Sequence, residues 1–144
     1  MITYVFVDID GVLRKKSDPK NQLNKVLADT LLSFVKAENL SLVVASSWRI
    51  GYSRKELMNF FPEKLRASIV YITPEHPDPN VDFVRERECM AWLRANAETP
   101  CYYVALDDDS SLYKSFPLAL VDPDEGIDVK SLDQIKAARK QFGM

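Results

Sequence analysis

Histidine is almost missing from this chain: its 144 residues hold one, His76, inside the proline-flanked run Pro-Glu-His-Pro-Asp-Pro. A loop histidine without an activated serine nearby gives no footing for a Ser-His-Asp hydrolase. Cysteine is scarce too. Cys89 and Cys101 lie far in sequence from each other and from His76, which argues against a structural zinc site and reads as two buried thiols. No apolar run approaches the roughly 18 residues that a membrane span needs. The N-terminus lacks the basic, apolar, small-residue series of a secretion signal, so a cytoplasmic chain is expected. An excess of positive charge is also lacking: 19 Lys and Arg stand against 21 Asp and Glu, a net charge of −2. That removes any general electrostatic case for coating nucleic acid, although local clusters can still bind a phosphate. Internal repeats, low-complexity tracts and interdomain linkers are absent, and the length suits one domain burying about 70% of its unfolded surface.

What the chain does have is concentrated first in Tyr4-Val5-Phe6-Val7-Asp8-Ile9-Asp10-Gly11-Val12-Leu13. Consecutive apolar residues suggest a strand covered on both faces, as in the middle of a parallel sheet. Two carboxylates then emerge at its carboxyl end, where open α/β sheets place ligands. Strand geometry puts residues i and i+2 on one side, so Asp8 and Asp10 are expected to face one small volume. Gly11 permits a sharp bend just after them.

Arg14 to Asn21 reads as a polar loop. Apolar residues at Leu23, Val26, Leu27, Thr30, Leu31, Phe34 and Val35 then repeat at helical spacing, with Asn39 as the helix end. Leu42 to Ala45 is a second buried strand, which completes a right-handed βαβ unit and ends in Ser46-Ser47-Trp48-Arg49. Ser53 to Glu56 has the form of a capping box before a short helix burying Leu57, Phe60 and Phe61. Ser68 to Ile72 is the third strand, and Thr73 to Asn80 a proline-rich loop. Asp82 is expected to cap a helix whose inner face carries Val84, Cys89, Trp92 and Leu93. Arg85 and Arg87 in its first turn are poorly matched to the positive end of the helix dipole, which hints at a nearby anion. Tyr102 to Leu106 is the fourth strand, ending in Asp107-Asp108-Asp109, and Leu118 to Val121 the fifth. Ser131 to Gln134 resembles a capping box opening a terminal helix that buries Ile135, Ala138 and Phe142. The expected architecture is a three-layer α/β sandwich with a mainly parallel, five-stranded sheet.

Three strand ends therefore carry polar groups on the same edge of the sheet: Asp8 and Asp10, Ser46 and Ser47, Asp107 and Asp108. Converging carboxylates raise one another's pKa unless a cation intervenes, and Mg²⁺ binds through one or two carboxylates plus water and substrate phosphate. Asp8 is the candidate nucleophile, since a carboxylate can form an aspartyl-phosphate. Asp10 is the candidate general acid and base. A serine hydroxyl can bond a phosphoryl oxygen, and Arg85 can neutralise developing charge. Alone, each piece reads equally well as a turn or a helix cap; their joint placement points to phosphoryl transfer.

With these residues in view, the chain resembles the haloacid dehalogenase-like (HAD) superfamily of phosphohydrolases. Val5 to Leu13 matches its first motif, Val43-Val44-Ala45-Ser46 the second, and Val104-Ala105-Leu106-Asp107-Asp108 the fourth. Arg85 fits the third by position, with Arg87 as alternative. Ser-Ser-Trp-Arg, Arg85-x-x-Glu88 with Trp92-Leu93, and Leu-Asp-Asp together look like the small HAD domains associated with RNA-repair enzymes. The resemblance implies a Rossmann-like sheet within a single HAD-like domain over residues 1–144. It implies Asp8 as nucleophile and Mg²⁺ ligand, and Asp10 as general acid and base whose backbone carbonyl also binds the metal. Asp107 would complete the protein ligands and Asp108 would assist. Either Ser46 or Ser47 would bind phosphate, and Gly11, Ser47 and Arg49 are the candidate substrate-binding residues.

No stretch is long enough for a cap domain after the first or second motif. An open site suits a protruding phosphate on a large partner, such as a nucleic-acid end or a phosphoprotein; a small phosphometabolite is the other option. Arg14, Lys15, Lys16, Arg49, Arg54 and Lys55 are candidates for a basic rim. The competing readings are a HAD-fold module that binds phosphate without turnover, and a signalling receiver domain. The latter takes its phospho-acceptor from strand three, which here ends in Ile72-Thr73 with no aspartate.

Overall fold

The computed structural model describes residues 1–143. Five parallel strands lie in the order β3-β2-β1-β4-β5. They are β1 (Thr3–Val7), β2 (Leu40–Val44), β3 (Ile69–Ile72), β4 (Cys101–Asp107) and β5 (Leu118–Leu120). β1 is central and buried along its whole length, as its unbroken apolar run requires. A sixth strand, β6 (Lys140–Phe142), pairs antiparallel with Cys101–Tyr103 of β4. It shares that edge with β5, which covers only Ala105–Asp107.

Alternation along the strands sorts the core into two layers. Val5, Val7, Leu42, Val44, Val104 and Leu106 point to one face. There they meet α1 (Lys25–Glu38), the short helices α3 (Arg54–Asn59) and α4 (Glu63–Arg66), and α6 (Val129–Ala138), through Leu31, Leu57, Leu65 and Ile135. Tyr4, Phe6, Val43, Ala45 and Ala105 point to the other face, against Cys89, Trp92 and Leu93 of α5 (Val84–Asn96) and against Tyr113 and Phe116. Full burial of large side chains such as Phe6, Leu106 and Ile135 stabilises the fold by about 1.5–3 kcal/mol each. The edge-on ring pairs Phe6–Trp92 and Phe6–Phe116, at 5.9 and 5.5 Å, fix the second layer. Cys89 and Cys101 are buried free thiols.

Local signals act largely where they stand. Asn24 caps α1 by accepting from the amides of Val26 and Leu27, and Asn39 ends it in the left-handed conformation. The Ser53–Glu56 capping box forms. Four expectations need correction. Val26 is 71% exposed, because α1 turns Leu27 and Ala28 inward in its place. Asp82 does not cap α5: Phe83, at φ 53°, holds that position without a side-chain bond, and the Asp82 carbonyl accepts from Arg87 Nε at 2.9 Å. The cap of the last helix stands three residues before the expected serine. Asp128 is its cap and Ser131 supplies the reciprocal bond. Phe142 lies outside that helix, which ends when Arg139 turns extended. Arg139 stacks its guanidinium 4.4 Å over Tyr102, and Phe142 then packs edge-on to Tyr103 from β6.

Only the turn and loop of residues 8–24 lie between β1 and α1, and β2 reaches β3 through α2 (Trp48–Gly51), α3 and α4. No cap domain interrupts either connection. No helix among the described residues is long and apolar enough to cross a membrane.

Candidate active site

Register aligns three strand ends. Val7 pairs with Val44 of β2 and with Leu106 of β4. One residue further on, Asp8 N–H donates to the Leu106 carbonyl at 3.1 Å and Ala45 N–H to the Val7 carbonyl at 2.9 Å. Asp8, Ala45 and Asp107 therefore stand at one level. Continued alternation turns both carboxylates to the α5 face, and Arg85 from the first turn of α5 meets them. Its Nη1 lies 3.7 Å from Asp8 Oδ1 and 3.4 Å from Asp107 Oδ2, and donates to the Ala45 carbonyl. These carboxylates are the anion that the unfavourable helix-dipole position hinted at.

Asp8, Asp107 and Asp108 each offer a carboxylate oxygen, all within 4.8 Å of one another. Burial, reinforced by the charge of Asp107 and opposed by Arg85, pushes the Asp8 carboxyl well above its ordinary range. Burial and the neighbouring Asp107 push Asp108 up to about 6. Three crowded hard-oxygen donors, with Asp8 and Asp108 pushed up by burial and by Asp107, fit a small divalent cation such as Mg²⁺.

Asp10 departs from the expected geometry. β1 ends at Val7, so strand alternation does not extend to residue 10. Ile9 is fully buried, its carbonyl accepts from Val12, Leu13 and Arg14, and the chain turns back on itself. The Asp10 carboxylate is thereby carried away from the three clustered carboxylates. Its Oδ1 accepts from Arg14 Nη1 at 2.9 Å and its Oδ2 from the Trp48 indole at 3.0 Å. Its side chain keeps 49% of its surface exposed. Gly11, at φ +79°, is buried and not a surface for substrate. A Cβ there would lie 2.4 Å from Asp108 Oδ2, so its bareness makes room for that carboxylate.

Ser46 is fully buried at the end of β2, and its Oγ accepts from the Trp48 amide at 3.2 Å. Ser47 is exposed and opens α2 without a side-chain bond to the helix. Of the two arginines in the first turn of α5, Arg85 reaches the carboxylates. Arg87 is exposed and bonds the Asp82 carbonyl.

Arg49 turns inward. Its Nη1 donates to the Ser46 carbonyl at 2.7 Å, and its Nη2 pairs with Glu88 Oε2. Glu88, only 3% exposed, also accepts from the His76 amide at 2.8 Å and lies 3.8 Å from Arg85 Nε. The expected basic rim is accordingly thinner: Arg14 and Arg49 are internal, and Arg54 stacks 5.0 Å over Tyr71.

Sequence reasoning missed Tyr113, whose buried hydroxyl donates to Asp107 Oδ2 at 2.8 Å. Nothing in its spacing marks it. It also missed what Trp48, Arg14 and Glu88 hold, since each partner lies on another element or across a tight turn.

Comparisons with curated proteins and with solved structures find no match to this chain. A family model described as "HAD domain in Swiss Army Knife RNA repair proteins" matches residues 4–131, which takes in β1 and all three strand ends of the site. The chain belongs to that family of HAD domains.

Proposed function

We propose that the protein is a Mg²⁺-dependent phosphomonoester hydrolase working through an aspartyl-phosphate. The observation that carries this reading is the meeting of Asp8, Asp107 and Asp108 within 4.8 Å, with the Arg85 guanidinium against two of them. Asp8, Asp107 and Asp108 would hold the ion, which when bound keeps these carboxylates ionised and offsets phosphate charge. An Asp8 oxygen attacks phosphorus and the bond to the ester oxygen breaks. Asp10 gives that oxygen its proton, then takes one from the water that hydrolyses the aspartyl-phosphate, releasing phosphate and restoring Asp8. Arg85 lies where its charge can stabilise the equatorial oxygens, and a serine hydroxyl of Ser46 or Ser47 is the further donor. The contacts from Arg14 and Trp48 fix the Asp10 carboxylate while leaving it half exposed, which supports its reading as the proton donor to the leaving oxygen.

The uncapped strand ends favour a phosphate that protrudes from a large substrate, such as a nucleic-acid end, and the family's RNA-repair description agrees with that. A Mg²⁺-dependent screen would test both levels, using 3′- and 5′-phosphorylated oligonucleotides, nucleotides, sugar phosphates and phosphopeptides. Phosphate release that Asp8→Asn abolishes is the expected result. Equal release by that variant would reject the mechanism, and preference for a small sugar phosphate would reject the large substrate.

A further inference from the structure

Beside Asp10 lies a cavity of about 290 Å³ lined by Asp10, Arg14, Lys20, Asn21, Ser47, Trp48, Gly51 and Tyr52. We infer that it is the leaving-group subsite, built for a phosphorylated nucleoside residue whose ring lies against Trp48 and Tyr52 and whose second phosphate pairs with Lys20. This rests on the phosphohydrolase reading for its place in the reaction, because the group on the far side of the scissile bond must sit beside the residue that protonates it.

The walls themselves define the ligand's chemistry. Trp48 and Tyr52 are half-buried. Each packs edge-on to Phe60, at 5.0 and 4.9 Å, and each also lines the cavity. A flat ring can stack there, as nucleic-acid bases do on aromatic side chains. The cationic walls differ from one another. Arg14 is committed to Asp10 and to the carbonyls of Asp18 and Pro19. Lys20 is exposed and has no partner among the described residues, so it is the charge left for an incoming anion.

Opposite Lys20's loop, Tyr52 donates its hydroxyl to Asn21 Oδ1 at 2.9 Å. Asn21 is one of three non-glycine residues with positive φ among the described residues, at 66°. Such a conformation is tolerated by asparagine but still costs free energy, and the Tyr52 bond helps hold the loop in position across the cavity. The volume sits at the lower end of the ~300–1,000 Å³ common for ligand pockets, which suits one nucleotide residue and excludes a folded peptide.

The test is binding to full-length Asp8→Asn protein with Mg²⁺ present, read by tryptophan fluorescence. Trp48 lines the cavity, whereas Trp92 is 4% exposed in the core. Adenosine 3′,5′-bisphosphate is expected to quench the emission and to bind at least tenfold tighter than inorganic phosphate. Lys20→Ala, a change at an exposed side chain, is expected to remove that advantage. Equal affinity for bisphosphate and phosphate, a less than twofold effect of Lys20→Ala, or equally tight binding of phosphotyrosine would each overturn the inference. Binding as expected, alongside no Mg²⁺-dependent turnover by the unmodified protein, would instead reject the phosphohydrolase reading and leave the subsite standing.

Discussion

Gly11 stands where no other residue can without moving Asp108: an added Cβ would come within 2.4 Å of the Asp108 carboxylate oxygen. Gly11→Ala should therefore do two things. It should destabilise the protein by about 1 kcal/mol or more through the φ of +79°, and it should lower the affinity for Mg²⁺ by displacing one carboxylate. Calorimetric Mg²⁺ titration beside urea unfolding separates the two. Unchanged Mg²⁺ affinity would show that Asp108 is not held by this contact.

Glu88 ties the two inward-facing arginines, Arg49 and Arg85, and receives the His76 amide. Replacing it by glutamine leaves two buried guanidinium groups short of a counter-charge. Removing one partner of a buried ion pair costs about 3 kcal/mol or more, so Glu88→Gln should shift the urea midpoint strongly downward. A shift under a quarter of that would mean Asp8 and Asp107 alone suffice to balance Arg85.

Tyr113→Phe removes the hydroxyl that donates to Asp107 Oδ2, deep in the second core layer. A buried carboxylate oxygen losing its donor costs about 1–3 kcal/mol. Mg²⁺ should recover part of that loss if the ion is held by the same carboxylate, as proposed. Thermal unfolding with and without Mg²⁺ would show it, and an equal loss in both conditions would count against Asp107 as a ligand.

Without a divalent cation, stability should depend on pH in an unusual direction for carboxylates. Asp108 titrates at about 6 in the folded protein against 3.8 for a free aspartate, and Asp8 is raised as well. The folded state therefore holds more protons than the unfolded chain between these values, so stability falls as pH rises through this window. In EDTA the protein should unfold more readily at pH 7 than at pH 5, and Mg²⁺ should flatten the difference. Greater stability at pH 7 than at pH 5 in EDTA would contradict the crowding of these carboxylates.

Asp8, Asp107 and Arg85 were legible in the sequence because each follows directly from a regular element: two strand ends and the first turn of a helix. Continuous apolar runs marked the strands, and the parallel βαβ connection put their ends on one edge. The orientation of Asp10 was not legible, since the tight turn after Val7 abandons the strand period that the inference used. Ser46 was legible as a strand end, but its complete burial was not. Arg49 looked like a surface cation until its counter-ion, Glu88, 39 residues further on, turned it inward. Tyr113 depends on a long-range hydroxyl contact that no periodicity encodes. The terminal strand was lost because Phe142 fits a helical spacing as well as it fits the edge of β4.

The level alignment of Asp8, Ala45 and Asp107 has a consequence for how such a chain can change over generations. Asp8 and Asp107 inherit their positions from the backbone ladder, whereas Lys20, Asn21 and Tyr52 sit on the connections beyond it. A one-residue insertion inside β1 or β4 would exchange core and site-facing side chains at a stroke. An insertion near Lys20 leaves the ladder untouched. The carboxylate cluster is thus locked to the sheet, and the residues that surround it are free to drift in the loops.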